Sequence, residues 1–173
     1  MEIFDGSGAV QLLASDDRDE VLLLEGCEPG PNLDKLPDDQ AIAIAAAIMR
    51  QIWRPLPPDH AFPTTAKWGQ GLARLRKFYR GTGTFPKTLV ERAERTFADF
   101  SASVVVPVLL HSDLHHENIL AAQRQPWLAI DPKGVAGEPA YETGSFLLNR
   151  SSEVRNAPHP RRVLARRLDR LAG

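Results

Sequence analysis

The feature that most constrains this chain lies between Val104 and Gly134, where short apolar runs alternate with polar connections. Val104 to Leu110 is β-branched and leucine-rich, a polar loop follows from His111, and Ile119 to Ala121 and Trp127 to Ile130 make two more runs, the last ending at Asp131. Runs this short between polar segments predict small strands, with polar side chains crowded at the strand ends. A chain of this kind folds around loops rather than around a large sheet.

The segments before it read differently. Val10 to Ser15 and Val21 to Glu25 are β-favouring runs separated by Asp16 to Glu20, a polar cluster suited to a hairpin turn. Gly26 to Asn32 is rich in Gly and Pro and predicts a connector. Three helical patterns follow. The first has Asp38 and Asp39 as cap candidates and Ala41, Ile44, Ala45, Ile48 and Ile52 at helical spacing, stopping before Pro55. The second aligns Trp68, Leu72, Leu75 and Tyr79, and the third opens near Pro86 and aligns Val90, Ala93, Phe97 and Phe100. Both predict amphipathic core helices, and Gly81-Thr-Gly83 between them reads as a turn rather than a phosphate loop, because no strand precedes it. A last helix is expected from Val163 to Leu171, with Arg161, Arg162, Arg166, Arg167 and Arg170 on a solvated face. Hairpin, helices and a small β-rich loop region together indicate an α+β fold.

Lys and Arg (21) nearly balance Asp and Glu (22), so no net field draws the chain to nucleic acid or to an anionic membrane. The apolar run Ala41 to Met49 is far shorter than a bilayer span. Cys27 is the only cysteine, which excludes an internal disulfide and fits a reducing compartment, with the cytoplasm expected.

The chemistry concentrates in His111-Ser-Asp-Leu-His-His-Glu-Asn-Ile-Leu120 and Trp127-Leu-Ala-Ile-Asp-Pro-Lys-Gly134. Asn118 lies five residues after Asp113, and Asp131 lies thirteen after Asn118. Phosphoryl transfer from ATP needs hard oxygen ligands for Mg²⁺ and a separate carboxylate aimed at the attacking hydroxyl. One Asn and two Asp residues supply those groups, and the first spacing matches the H-x-D-x-x-x-x-N loop of kinases. A rival reading gathers His111, His115, His116 and Asp113 into a transition-metal site of a hydrolase.

The loop from His111 to Leu120 closely resembles the H-G-D-L-H-x-x-N-I-L loop of aminoglycoside and choline kinase-like phosphotransferases. Trp127 to Gly134 and Gly137 to Gly144 are most similar to streptomycin phosphotransferases and the aminoglycoside/hydroxyurea antibiotic resistance kinases. The resemblance runs from about Val10 to Asn149. It implies a protein-kinase-like fold and transfer of the γ-phosphate of ATP to a hydroxyl of a small, aminoglycoside-like acceptor. By position, Asp113 is the expected catalytic carboxylate, Asn118 and Asp131 the expected Mg²⁺ ligands, and Glu25 and Cys27 the hinge residues whose backbone meets adenine. His111 is expected to anchor the loop, and Glu142 to accept hydrogen bonds from its backbone.

Three departures matter, one of them the Pro132-Lys133-Gly134 that follows Asp131, unlike the Phe-Gly of protein kinases though compatible with the small-molecule kinases the chain resembles. Ser112 replaces the usual glycine. The family's glycine-rich phosphate cover and strand lysine precede the hinge, whereas Lys35, Lys67, Lys77, Lys87 and Lys133 all follow it. The expectation is therefore a remnant amino-terminal hairpin and hinge over residues 1–30 and a carboxy-terminal lobe over 31–173, incomplete at both ends. Weak activity, or a folded remnant that binds nucleotide without turnover, would follow, with self-association through the open hairpin edge.

Overall fold

The computed structural model describes residues 2–4, 6–104 and 106–172. Mixed helices and short strands give the expected α+β class. The first strands, β1 (Leu12–Asp16) and β2 (Val21–Leu24), form an antiparallel hairpin with Asp16 opposite Val21. The Asp16 carboxylate accepts from the backbone N–H groups of Arg18 and Asp19, which shapes the turn from within. Leu13, Val21, Leu22 and Leu23 are all more than half exposed.

Helix α1 (Asp38–Ile52) is the centre of the core, with Ala41, Ile42, Ala45, Ala46, Ile48, Met49 and Ile52 buried. Each such isoleucine contributes about 1.5–3 kcal/mol of burial. The cap expectation is corrected: Pro37 is the N-cap residue, no side chain caps the helix, and Asp38 and Asp39 lie in its first turn. They face helix α6 (Pro160–Ala172) instead. Arg166 reaches both carboxylates, Arg167 pairs with Asp38, and Arg170 with Asp39. The arginine face is thus not simply solvated, and the Arg167 side chain is 1% exposed. Its guanidinium also donates to the Asn149 carbonyl. A helix dense in arginine can dock on a helix whose first turn carries two carboxylates, and charge matching replaces the apolar pattern there.

Helices α2 (Thr65–Tyr79) and α3 (Lys87–Ser103) pack on each other and are joined by the Arg76–Glu94 ion pair. Their expected role as core helices is also corrected, since Thr65 and Val90 are the buried residues they contribute, and Trp68 and Tyr79 are exposed. Each apolar stripe has only the partner helix and an edge of the core to cover it, with Phe97 and Phe100 reaching Tyr141 at centroid distances of 6.1 and 6.2 Å. Thr64 caps α2 by accepting from Lys67 N–H. The segment from Gly81 to Gly83 is a connection between these helices, as expected.

The strand expected over Val104 to Leu110 is shorter: α3 continues to Ser103, β4 covers Val108–Leu110, and Val105 lies outside the described residues. Strand β4 pairs with β3 (Arg54–Pro55) on one side and β7 (Val135–Gly137) on the other, all antiparallel. A Cβ on Gly137 would stand 2.4 Å from Thr65 Cγ2, which shows how closely the start of α2 lies on β7. Strands β5 (Ile119–Ala121) and β6 (Trp127–Ala129) form a second hairpin. The core runs from Phe4 and Ala9 through α1 to Leu109, Leu114, Ile119, Ala129, Phe146 of α4 (Thr143–Leu148) and Leu171. A short helix α5 (Ser151–Asn156) precedes α6. Among the described residues no helix is long and apolar enough to cross a membrane.

Candidate active site

The loop after β4 is held by backbone bonds to buried side chains. Glu142, fully buried, accepts from His111 N–H at 2.6 Å and from Ser112 N–H at 2.9 Å. Burial pushes its carboxyl up to about 7, against the pull of the backbone N–H groups of Ser112, His111 and Leu114. The His111 ring donates from Nε2 to the Ile130 carbonyl at 2.8 Å and accepts at Nδ1 from Asp113 N–H at 3.3 Å. That pairing requires the neutral ring, and burial lowers its pKa to about 4. His111 thus joins the loop to the end of β6.

This scaffold sets the orientation of the polar side chains. Ser112 has φ 67° and Asp131 φ 54°, the left-handed region where glycine is usual and Asp is tolerated better than most residues. The glycine preference at position 112 therefore has a backbone reason, and Ser112 adopts that geometry despite its Cβ. Asn118 Nδ2 donates to the Asp113 carbonyl at 3.0 Å, and Ile130 N–H donates to the Asn118 carbonyl at 3.0 Å. With its amide nitrogen committed, Asn118 keeps its side-chain oxygen as the remaining donor of electron pairs.

Asp113 and Asp131 are brought together by a residue that sequence reasoning passed over. Lys133 Nζ lies 2.9 Å from Asp131 Oδ2 and 3.7 Å from Asp113 Oδ2. The hydrogen bond from Lys133 holds the Asp131 carboxyl below its usual range. Asp113 also has His115 Nε2 at 3.9 Å. In the sequence Lys133 is simply one of the lysines after the hinge, and its position two residues past the strand-end Asp131 is the signal that could have found it.

The transition-metal reading does not survive this geometry. His111 is committed to Ile130 and Asp113, and His116 is fully buried, stacked on Phe146 at 4.1 Å and 19°. Among the described residues no group of three or more His, Cys, Asp or Glu is placed to hold a metal ion.

A cavity of about 370 Å³ lies between the first hairpin and β5–β6. Val10, Leu22, Leu24, Leu120 and Ile130 wall it, and Glu25, Cys27 and Asp131 line it as well. Its volume is in the range of small-ligand sites. Among the described residues, neither the Glu25 carbonyl nor the Cys27 N–H makes a backbone–backbone hydrogen bond. The Glu25 side chain is engaged elsewhere. With Arg124 it forms a bidentate pair at 2.7 and 2.8 Å, while Arg124 also donates to the carbonyls of Gly6 and Ala9. A larger cavity of about 410 Å³ opens between α3 and α4, but it meets the loop only at Ser112 and holds none of Asp113, Asn118 or Asp131. The smaller one is lined by Asp131, which Lys133 links to Asp113, and is the better candidate.

A sequence profile of the aminoglycoside/hydroxyurea antibiotic resistance kinases matches residues 1–173. The chain belongs to this family. Among curated relatives, streptomycin 6-kinase of Streptomyces glaucescens is 30% identical over 99% of this chain and 56% of its own length. Hydroxyurea phosphotransferase of Kitasatospora aureofaciens is 33% identical over 89% of this chain and 47% of its own. Streptomycin 3''-kinase of Klebsiella pneumoniae is 30% identical over 96% and 60%. This family member therefore spans about half the length of the curated relatives it matches.

Proposed function

We propose that this antibiotic-resistance-kinase chain takes part in transfer of the γ-phosphoryl group of ATP to a hydroxyl of a small molecule, with an aminoglycoside such as streptomycin as the acceptor. The observation that supports this reading is the loop that ties Asn118 to the Asp113 carbonyl and sets Asp113 and Asp131 around one lysine, with Asp131 lining a cavity that Glu25 and Cys27 also line. The relatives' names agree with it. In this reading the fold is protein-kinase-like, residues 1–30 belong to the nucleotide lobe and 31–173 to the catalytic lobe, and the reaction takes place in the cytoplasm.

The Glu25 carbonyl and Cys27 N–H would meet the adenine edge, and the apolar walls would hold its faces. Asn118 and Asp131 fit Mg²⁺, because the free Asn118 oxygen and a carboxylate are hard oxygen donors. When bound, the ion offsets the charge of the phosphates. Asp113, held by its own N–H to His111 and by its carbonyl to Asn118, orients the acceptor hydroxyl and takes its proton.

Calorimetry tests the metal roles. Asn118→Ala and Asp131→Ala are each expected to weaken Mg-ATP at least about tenfold, as loss of one charge-assisted contact implies; unchanged affinity in both would remove these roles. We further propose that the chain self-associates through the outer edge of β2, whose Val21, Leu22 and Leu23 are exposed. Sedimentation should show dimers or larger species that dissociate in Leu22→Lys, and a monodisperse monomer at all concentrations would refute it.

A further inference from the structure

Among the described residues, Lys133 is the one lysine that reaches the proposed catalytic carboxylates. Its main chain is fixed from both sides. Lys133 N–H donates to the His111 carbonyl at 2.9 Å, and Gly134 turns the chain at φ 68°, close against Phe62. The side chain is 44% exposed, so its ammonium has room to pivot while its root stays on the loop. Its ammonium stands within reach of both carboxylates, 2.9 Å from Asp131 and 3.7 Å from Asp113. An ammonium between the base carboxylate and the metal carboxylate lies where the transferred group must pass, and that group carries its negative charge on non-bridging oxygens.

We propose that Lys133 is a further catalytic residue, which gives up its contact with Asp131 when the nucleotide is bound and donates to a non-bridging oxygen of the γ-phosphoryl group. The inference rests on the phosphotransferase reading of this site. In the transfer, the acceptor oxygen forms a bond to the γ-phosphorus. The bond from that phosphorus to the β–γ bridging oxygen breaks, and its electron pair leaves with ADP. The hydroxyl proton goes to Asp113. Lys133 stays protonated throughout and stabilises the charge spread over the phosphoryl oxygens. A flexible ammonium on an anchored backbone suits a group that must follow the phosphorus between two oxygens.

The role makes Lys133 sensitive to the γ-phosphate and indifferent to the rest of the nucleotide. Binding of Mg-ATP and Mg-ADP to the chain, followed by calorimetry, separates the possibilities. Lys133→Met is expected to weaken Mg-ATP at least about tenfold and Mg-ADP less than about threefold, with Lys133→Arg recovering most of the ATP affinity and an unchanged thermal midpoint. Equal weakening of both nucleotides, or of neither, would overturn the proposal. Asp131→Ala measured in parallel tells the two failures apart. If it weakens Mg-ATP while Lys133→Met does not, only the role of Lys133 falls. If neither variant changes affinity, or if the parent chain binds neither nucleotide, the phosphotransferase reading of the site falls and the lysine's role with it.

Discussion

Asp113→Asn is expected to lower turnover by a factor of about 10²–10⁴, the range that general-base catalysis supplies, while Mg-ATP affinity stays within about twofold. The carboxamide keeps the volume and the backbone bonds that position residue 113, namely its N–H to His111 Nδ1 and its carbonyl to Asn118 Nδ2. What it loses is the capacity to take a proton. The measurement is phosphate transfer to streptomycin or another hydroxyl acceptor, made with the chain extended to its relatives' length. Equal rates in parent and variant would sink the assignment of Asp113. A large fall in nucleotide affinity would instead mean that the residue acts in binding.

The second large effect concerns stability. Arg167→Ala is expected to cost about 3–5 kcal/mol, the usual consequence of removing one partner of a buried ion pair. Arg167 Nη2 lies 2.7 Å from Asp38 Oδ1 and Arg167 Nε 3.1 Å from Asp38 Oδ2, and the same guanidinium satisfies the Asn149 carbonyl between α4 and α5. Removal leaves that carbonyl and part of the Asp38 charge unpaired and opens space between α1 and α6. Thermal unfolding should show a midpoint lowered by roughly 10 °C for a chain of this size. Arg167→Met combined with Asp38→Leu fills the same space without charge and should recover more than half of the loss. A change below about 1 kcal/mol in Arg167→Ala would show that α6 is held by its apolar contacts alone.

How far the sequence was legible differs sharply between the two ends of the chain. Helix α1 could be read closely because it is buried around most of its circumference, so its apolar spacing and its environment agree. Helix α6 could not, because its docking depends on Arg167 meeting Asp38 across a separation of 129 residues. Periodicity on one helix contains no information about charges on another, and five arginines look like a wet face until the partner is known. Helices α2 and α3 failed for the opposite reason: their stripes are real, but a stripe predicts only that something covers it, and here each covers the other.

In the proposed site, the nearness of Asp113, Asn118 and Asp131 was legible because their spacing follows from the chain lengths of two short loops, and the hairpin β5–β6 returns Asp131 to the loop it left. Glu142 could be placed only through the family resemblance, and its two backbone bonds to residues 111 and 112 match that expectation. Lys133 and Arg124 were missed, since isolated basic residues in polar segments give no pattern until the fold shows what they touch.

The Arg124 guanidinium has a mechanical consequence. It is held at once by two oxygens of Glu25, just after β2, and by the carbonyls of Gly6 and Ala9, while its own backbone lies in the turn joining β5 to β6. A planar group with four acceptors cannot follow one of them without breaking bonds to the rest. The amino-terminal segment, the connection after β2 and the turn of the β5–β6 hairpin are therefore tied together through one side chain. A single substitution at Arg124 would release the contacts to Glu25, Gly6 and Ala9 at once.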